Sequence, residues 1–217
     1  MPTTFTPRAL LLDMDGTLVD SDAVVERCWS RWAREHGLDP VEVLHTAHGR
    51  QGHATMAVLL PDRPAELNLA DNERMLAAER ADTEGVVPVP GAPAFLAALA
   101  GLPHALVTSA DAPLARVRMA AAGLALPQVL ITAESVGASK PDPEGFLKGA
   151  AALGFAPGDC LAFEDSGAGI AAARAAGVPV VGVGPRAAGH RPAAHAATLE
   201  SVTVTAGPDG TLTVTVA

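Results

Sequence analysis

A chain of 217 residues is long enough for one well-buried domain, or for one domain carrying a smaller inserted one. A formal net charge of −9, with Lys140 and Lys148 as the only lysines, argues against a nucleic-acid surface, because binding the phosphate backbone needs clustered Lys and Arg. Hydrophobic residues make up 49% but aromatic ones only 3%, so the interior must be filled by Ala, Val and Leu, which suits close packing of helices on a sheet.

From the N-terminus, Met1 to Arg8 shows no basic region leading into a long apolar stretch. The run Ala9-Leu10-Leu11-Leu12 is too short for a signal peptide or a membrane span. These features predict a cytoplasmic protein with no membrane partner. The same run, ending in Asp13, has the pattern of a strand buried on both faces. Between Ser21 and about Val86 the pattern is helical only, with Val24, Val25, Cys28, Trp29 and Trp32 at helical spacing in the first segment and the two tryptophans expected to fill its interior. Pro61, Pro64, Pro88 and Pro90 punctuate this stretch and its exit, and a helix near Ala92 resumes the core.

Further buried-strand runs follow at Ala105–Val107, Val129–Ile131, Leu161–Phe163 and Val178–Val183, each leading into polar residues and then a helical pattern. Alternation of this kind predicts an α/β fold: a doubly wound parallel sheet, with ligands gathering at the carboxyl ends of the strands. The core is assigned to residues 1–20 and 87–217, and an inserted α-helical cap to 21–86. Val202 to Thr205 and Thr211 to Val216 alternate around Gly207-Pro208-Asp209-Gly210, which predicts a C-terminal β-hairpin at the core edge. Cys28 and Cys160 match no zinc or redox spacing and are expected to be reduced thiols. His45, His48 and His53 lack the acidic or thiol partner that would complete a tetrahedral metal set.

The chemistry concentrates at the predicted strand ends. Asp13-Met14-Asp15-Gly16-Thr17 places two carboxylates two positions apart in a turn relaxed by Gly16, so both can reach one small site in different roles. A carboxylate attacking an anionic phosphate needs a divalent cation and a nearby ammonium to neutralise repulsion. Glu164-Asp165 supplies hard oxygen ligands suited to Mg²⁺, and Lys140, before Pro141, supplies the positive charge. Thr108 and Ser109 stand where they can cap the following helix or bind phosphate, since both uses draw on the same free amides.

Taken in order, Asp13-Met14-Asp15-Gly16-Thr17, Val107-Thr108-Ser109, Lys140-Pro141 and Glu164-Asp165-Ser166 resemble the four motifs of the haloacid-dehalogenase superfamily. The match is to the branch whose helical cap follows the first motif. The resemblance implies a Rossmann-like core and a phosphomonoesterase in which Asp13 is the nucleophile and Asp15 the acid and base. Thr108 and Ser109 would hold phosphoryl oxygens, and Lys140 would bridge phosphate and Asp13. Mg²⁺ would be held by Asp13, the Asp15 carbonyl and Asp165, with Glu164 direct or through water. Ser21 to Gln51 and Thr83 to Gly91 resemble the sugar and polyol phosphatases, a group that includes hexitol, glycerol and 2-deoxyglucose-6-phosphate phosphatases. A monomer acting on a small phosphorylated sugar or polyol is expected. Arg50, in the glycine-flanked His48-Gly49-Arg50-Gln51 turn, and Glu26, on the first cap helix, are the cap residues expected to face the substrate.

Three rivals within the superfamily differ from this chain. The phosphonate-cleaving branch needs a cap lysine, and none lies between Ser21 and Val86. The dehalogenases lack the acid at the position of Asp15. The β-phosphoglucomutases carry a histidine ten positions after that acid, where this chain has Val25. A sugar-phosphate-binding module without catalysis is the alternative outside enzymology, and the joint presence of Asp13 and Asp15 argues against it.

Overall fold

The computed structural model describes residues 2–217. In chain order, β1 (Thr3–Phe5) and β2 (Ala9–Leu12) lead through β3 (Val19–Asp20) into four helices, α1 (Asp22–Glu35), α2 (Pro40–Ala47), α3 (Gly52–Leu59) and α4 (Ala65–Ala81). The chain returns through β4 (Val87–Pro88), α5 (Ala92–Ala98), β5 (His104–Val107), α6 (Ala112–Ala121), β6 (Val129–Ile131), α7 (Glu144–Leu153), β7 (Cys160–Glu164), α8 (Gly167–Ala175) and β8 (Val180–Val183). It ends with α9 (Gly184–Ala187), β9 (Ala194–Ala196), β10 (Val202–Ala206) and β11 (Leu212–Val216).

Six strands form a parallel sheet in the order β6-β5-β2-β7-β8-β9, with the first of them in sequence, β2, between β5 and β7. All four β2 residues are fully buried because the strand is covered on both faces. Leu10 and Leu12 join one apolar cluster, while Ala9 and Leu11 join another on the opposite face, the two-residue periodicity of a strand. The carboxyl ends of β2, β5 and β7 therefore lie side by side, with β5 and β6 added on one side of β2 and β7, β8 and β9 on the other.

Local chemistry starts the helices. Asp39 caps α2 by accepting a hydrogen bond from Val41 N at 2.9 Å, with Pro40 in the first turn. Ser166 caps α8 by accepting from Gly169 N at 3.0 Å. In α1 the buried face is Val24, Cys28, Trp29, Trp32 and Ala33, and the two indoles pack edge to face at 5.6 Å, as the helical spacing predicts. The buried face of α4 is different in kind: Asn68, Asp71 and Glu79 accompany Met75 there. The two crossings between the sheet and the four helices run side by side as the antiparallel pair β3 and β4.

Three features depart from the sequence reading. The terminal hairpin is one part of a three-stranded antiparallel sheet, β1-β11-β10, because the N-terminal segment adds to β11 with Thr4 opposite Thr215. Val202, Val204, Leu212, Val214 and Val216 turn into the larger apolar cluster with Phe95 of α5, so this sheet closes the core. The parallel sheet also gains β9, where His195 interrupts the apolar run that marks the other buried strands. No helix among the described residues is long and apolar enough to cross a membrane.

Candidate active site

Asp13 directly follows β2, and its backbone N–H continues the sheet by donating to Phe163 O at 3.0 Å. Gly16 then turns the chain back, with φ +80 and its N–H donating to Val19 O at 2.7 Å. A Cβ at this position would lie 2.2 Å from Asp165 Oδ2, so the glycine is required for space as well as for conformation. The turn delivers both carboxylates of the first motif to one cleft.

Lys140 reaches Asp13 from behind. Its ammonium donates to Asp13 Oδ1 at 2.6 Å, to Glu164 Oε1 at 2.7 Å and to Val107 O at 3.1 Å, which accounts for all three of its protons. Burial works against that charge, but Asp13 and Glu164 outweigh it and hold the lysine above its ordinary value. Glu164 is fully buried and spoken for on both oxygens, since Oε2 accepts from Ser166 N at 2.8 Å and Ser166 Oγ at 3.0 Å. It is also walled in by α8, where a Cβ on Gly169 would fall 1.6 Å from Oε1.

Asp13, Glu164 and Asp165 bring oxygens within 4.8 Å of one another. Burial, reinforced by the charge of Glu164, raises the Asp13 carboxyl well above the carboxylate range despite Lys140. The same two causes push Asp165 up to about 7. Three carboxyls this close in a buried pocket resist ionising together, and a cation among their hard oxygens would relieve that repulsion. That donor set fits a hard divalent cation.

The cleft encloses ≈ 90 Å³ and is lined by Asp13, Asp15, Asp165, Thr108, Ser109 and Arg50, among others. At roughly 10–15 Å³ per water on this measure, the volume suits a small organic molecule. Six sequence-predicted site residues thus share one cleft, while Lys140 and Glu164 stand behind Asp13. Glu26 is not among them: it is exposed, and Asp22, Val25 and Trp29 are the α1 residues that line the cleft. Thr108 does not cap α6, because Asp111 does so by accepting from Leu114 N at 2.8 Å. Thr108 Oγ1 accepts from Ala110 N at 3.1 Å, and Ser109 Oγ donates across to Gly49 O at 2.9 Å. The guanidinium of Arg50 forms no ion pair among the described residues.

Sequence reasoning passed over three charged residues here. Arg186 donates from Nε to Asp165 Oδ2 at 2.8 Å and from Nη1 to Asp22 Oδ2 at 2.7 Å. Arg118, on α6, donates to Asp15 Oδ2 at 2.9 Å and to Glu79 Oε2 on α4 at 3.1 Å. Isolated arginines and glutamates on helices carry no local signal; only the topology brings them together. Together with Ser109 to Gly49, and Gln51 N to Ser139 Oγ at 2.8 Å, these contacts seat the four helices over the strand ends.

Known proteins resemble this chain in sequence and in fold. Hexitol phosphatase A of Escherichia coli (strain K12) is 42% identical over 210 residues, covering 94% of this chain and 96% of that protein. Glycerol-1-phosphate phosphohydrolase 1 of Saccharomyces cerevisiae is 32% identical over 203 residues, covering 84% and 79%. The crystal structure of β-phosphoglucomutase from Clostridium difficile superposes with a TM-score of 0.78 at 19% identity over 89% of this chain and 92% of that one, a likeness of fold. The profile of haloacid dehalogenase-like hydrolases matches residues 7–177, a span that runs from before β2 through α8 and takes in every strand end around the cleft. The chain belongs to the haloacid dehalogenase-like hydrolase family.

Proposed function

We propose that this protein is a Mg²⁺-dependent phosphomonoesterase that hydrolyses small sugar or polyol phosphates through an aspartyl-phosphate on Asp13. The observation that carries the reading is the pairing of Asp13 with buried Lys140 at 2.6 Å, with Asp15 two residues on in the same cleft. Residues 21–86 act as the cap over a core of 1–20 and 87–217.

With Oδ1 held by Lys140, Asp13 Oδ2 attacks phosphorus, and the bond to the ester oxygen breaks. Asp15 gives that oxygen its proton, and the alcohol leaves. Asp15 then takes a proton from a water that attacks the phosphoaspartate. The bond from phosphorus to Asp13 breaks, and inorganic phosphate departs. Thr108 has already accepted from Ala110 N, so its hydroxyl proton is free for a phosphoryl oxygen, and Ser109 stands beside it. Lys140, its protons committed, contributes charge and the orientation of Asp13. Asp13, Asp165 and the Asp15 carbonyl would hold Mg²⁺, with Glu164 behind them; when bound, the ion neutralises phosphoryl charge. Arg50 offers a free planar fork to an anionic or hydroxylated substrate.

The substrate class draws on the relatives named as hexitol and glycerol phosphatases. Val25, which lines the cleft, has no proton to give where the mutases carry a histidine, and this favours hydrolysis over phosphoryl return. The test is phosphate release from a panel of hexose, hexitol and glycerol phosphates, with Mg²⁺ and with chelator, run beside β-glucose-1-phosphate isomerisation. Metal-dependent release is expected. Isomerisation without net release would make the protein a mutase, and tight binding with no turnover at any metal concentration would make it a binding module.

A further inference from the structure

We propose that Arg118 is the positioning residue of Asp15, and that Glu79 makes its hold conditional on the seated cap. The inference rests on the acid and base role given to Asp15 above. Asp15 sits in a turn, its side chain 29% exposed to the cleft, and a carboxylate so placed has rotamers that miss the ester oxygen. Two contacts remove that freedom: Ser21 Oγ donates to Oδ1 at 2.7 Å, and Arg118 Nη1 donates to Oδ2 at 2.9 Å. Arginine has donors and no acceptor, so Arg118 can only donate to Oδ2, and that contact fixes the plane of the carboxylate.

Arg118 is itself held at its far end. It is 4% exposed, Glu79 is 7% exposed, and the second bond of the guanidinium goes to that glutamate on α4, 39 residues earlier in the chain. When the helices sit as they do here, both ends of the guanidinium are fixed. Were the helices to lift, Arg118 would lose the partner that fixes its plane. Burying this arrangement is unfavourable as a stability device, because two charges leave water and Arg118 Nε finds no partner among the described residues. A role in aiming Asp15 gives a reason for keeping it.

The test uses a double variant, Arg118→Met with Glu79→Leu, which removes both charges together and leaves apolar groups of similar size, a replacement that buried pairs commonly tolerate. Single-turnover rates of the first step are measured for two substrates: the best alkyl phosphate of the panel, whose alkoxide needs a proton from Asp15, and p-nitrophenyl phosphate, whose phenolate leaves without one. The expected result is a loss on the order of 10²-fold for the alkyl phosphate and less than about threefold for the aryl one. Equal loss on both substrates would mean a structural role, and no loss on either would mean none; both overturn the proposal. Glu79→Gln carries the same comparison should the double variant not fold, with a selective loss of roughly tenfold expected and an unselective one overturning it. Failure of the wild type to release phosphate from any substrate would instead refute the proposed function.

Discussion

Arg186 lies against Asp165, donating from Nε to Oδ2 at 2.8 Å, and the same guanidinium reaches Asp22 at the start of α1. It is thus a fixed cation beside the carboxylates proposed to hold Mg²⁺, and like charges a few ångströms apart repel by about 4 kcal/mol at an effective dielectric of 20. Arg186→Ala is expected to tighten Mg²⁺ binding by tenfold or more, measured by calorimetry without substrate. Weaker binding in the variant would show that the arginine organises Asp165 for the ion rather than opposing it.

Asp13→Asn is expected to abolish turnover and to raise stability when metal is absent. Burial and Glu164 lift the Asp13 carboxyl above its ordinary value even with Lys140 in contact, so its ionised form is a net cost to the metal-free fold at neutral pH. Melting in chelator should therefore occur at a higher temperature in the variant. A lower melting temperature would mean that the bond to Lys140 outweighs the repulsion.

The same reasoning gives a pH dependence. Asp165, pushed up to about 7, keeps a proton in the folded protein that the unfolded chain has already lost above roughly pH 4. Its contribution to stability is therefore greatest below that value and declines as pH rises through 7. His48 runs the other way, its pKa lowered by burial and by Arg186, so it favours folding as pH rises. The measurement is the difference between wild type and Asp165→Asn in chelator from pH 5 to 8. Wild type should lose stability relative to the variant as pH rises, and added Mg²⁺ should remove that loss. A difference that does not change with pH would remove Asp165 from this account.

How far the sequence discloses the site depends on where each group's signal resides. Asp13, Asp15, Thr108, Ser109, Lys140, Glu164 and Asp165 follow apolar runs or stand beside a proline, so strand ends announce them locally. Arg118, Glu79 and Arg186 sit on helices, where a charged residue ordinarily faces solvent, and their meeting with Asp15 and Asp165 is a product of chain topology alone. Glu26 shows the converse: its neighbour Val25 faces the cleft, and the 100° between successive helical residues carries Glu26 outward into solvent. The parallel sheet was legible because buried strands have unbroken apolar runs. β1 (Thr-Thr-Phe) and β9 (Ala-His-Ala) were not, since neither carries an unbroken apolar run.

α4 presents the same difficulty, since its inward face at Asn68, Asp71 and Glu79 has the composition of a solvated one. Asp71, its side chain 3% exposed, accepts from Trp32 Nε1 at 3.0 Å, pairs with Arg63 at 2.7 Å, and contacts Arg74. Burial opposes the ionised form, but Trp32 and Arg63 outweigh it and lower the carboxyl below its ordinary value. A depressed acid stabilises the fold above its unfolded value and loses that contribution as pH falls through the folded one. Asp71→Asn leaves Arg63 with its bond to Asn68 Oδ1 at 2.8 Å but without its ionic partner, and a loss of about 2 kcal/mol is expected at pH 7. Denaturant melts of both proteins should show this gap closing as pH falls below about 4. A gap that stays constant to pH 3 would assign the loss to packing of the amide against Trp32, not to the charge.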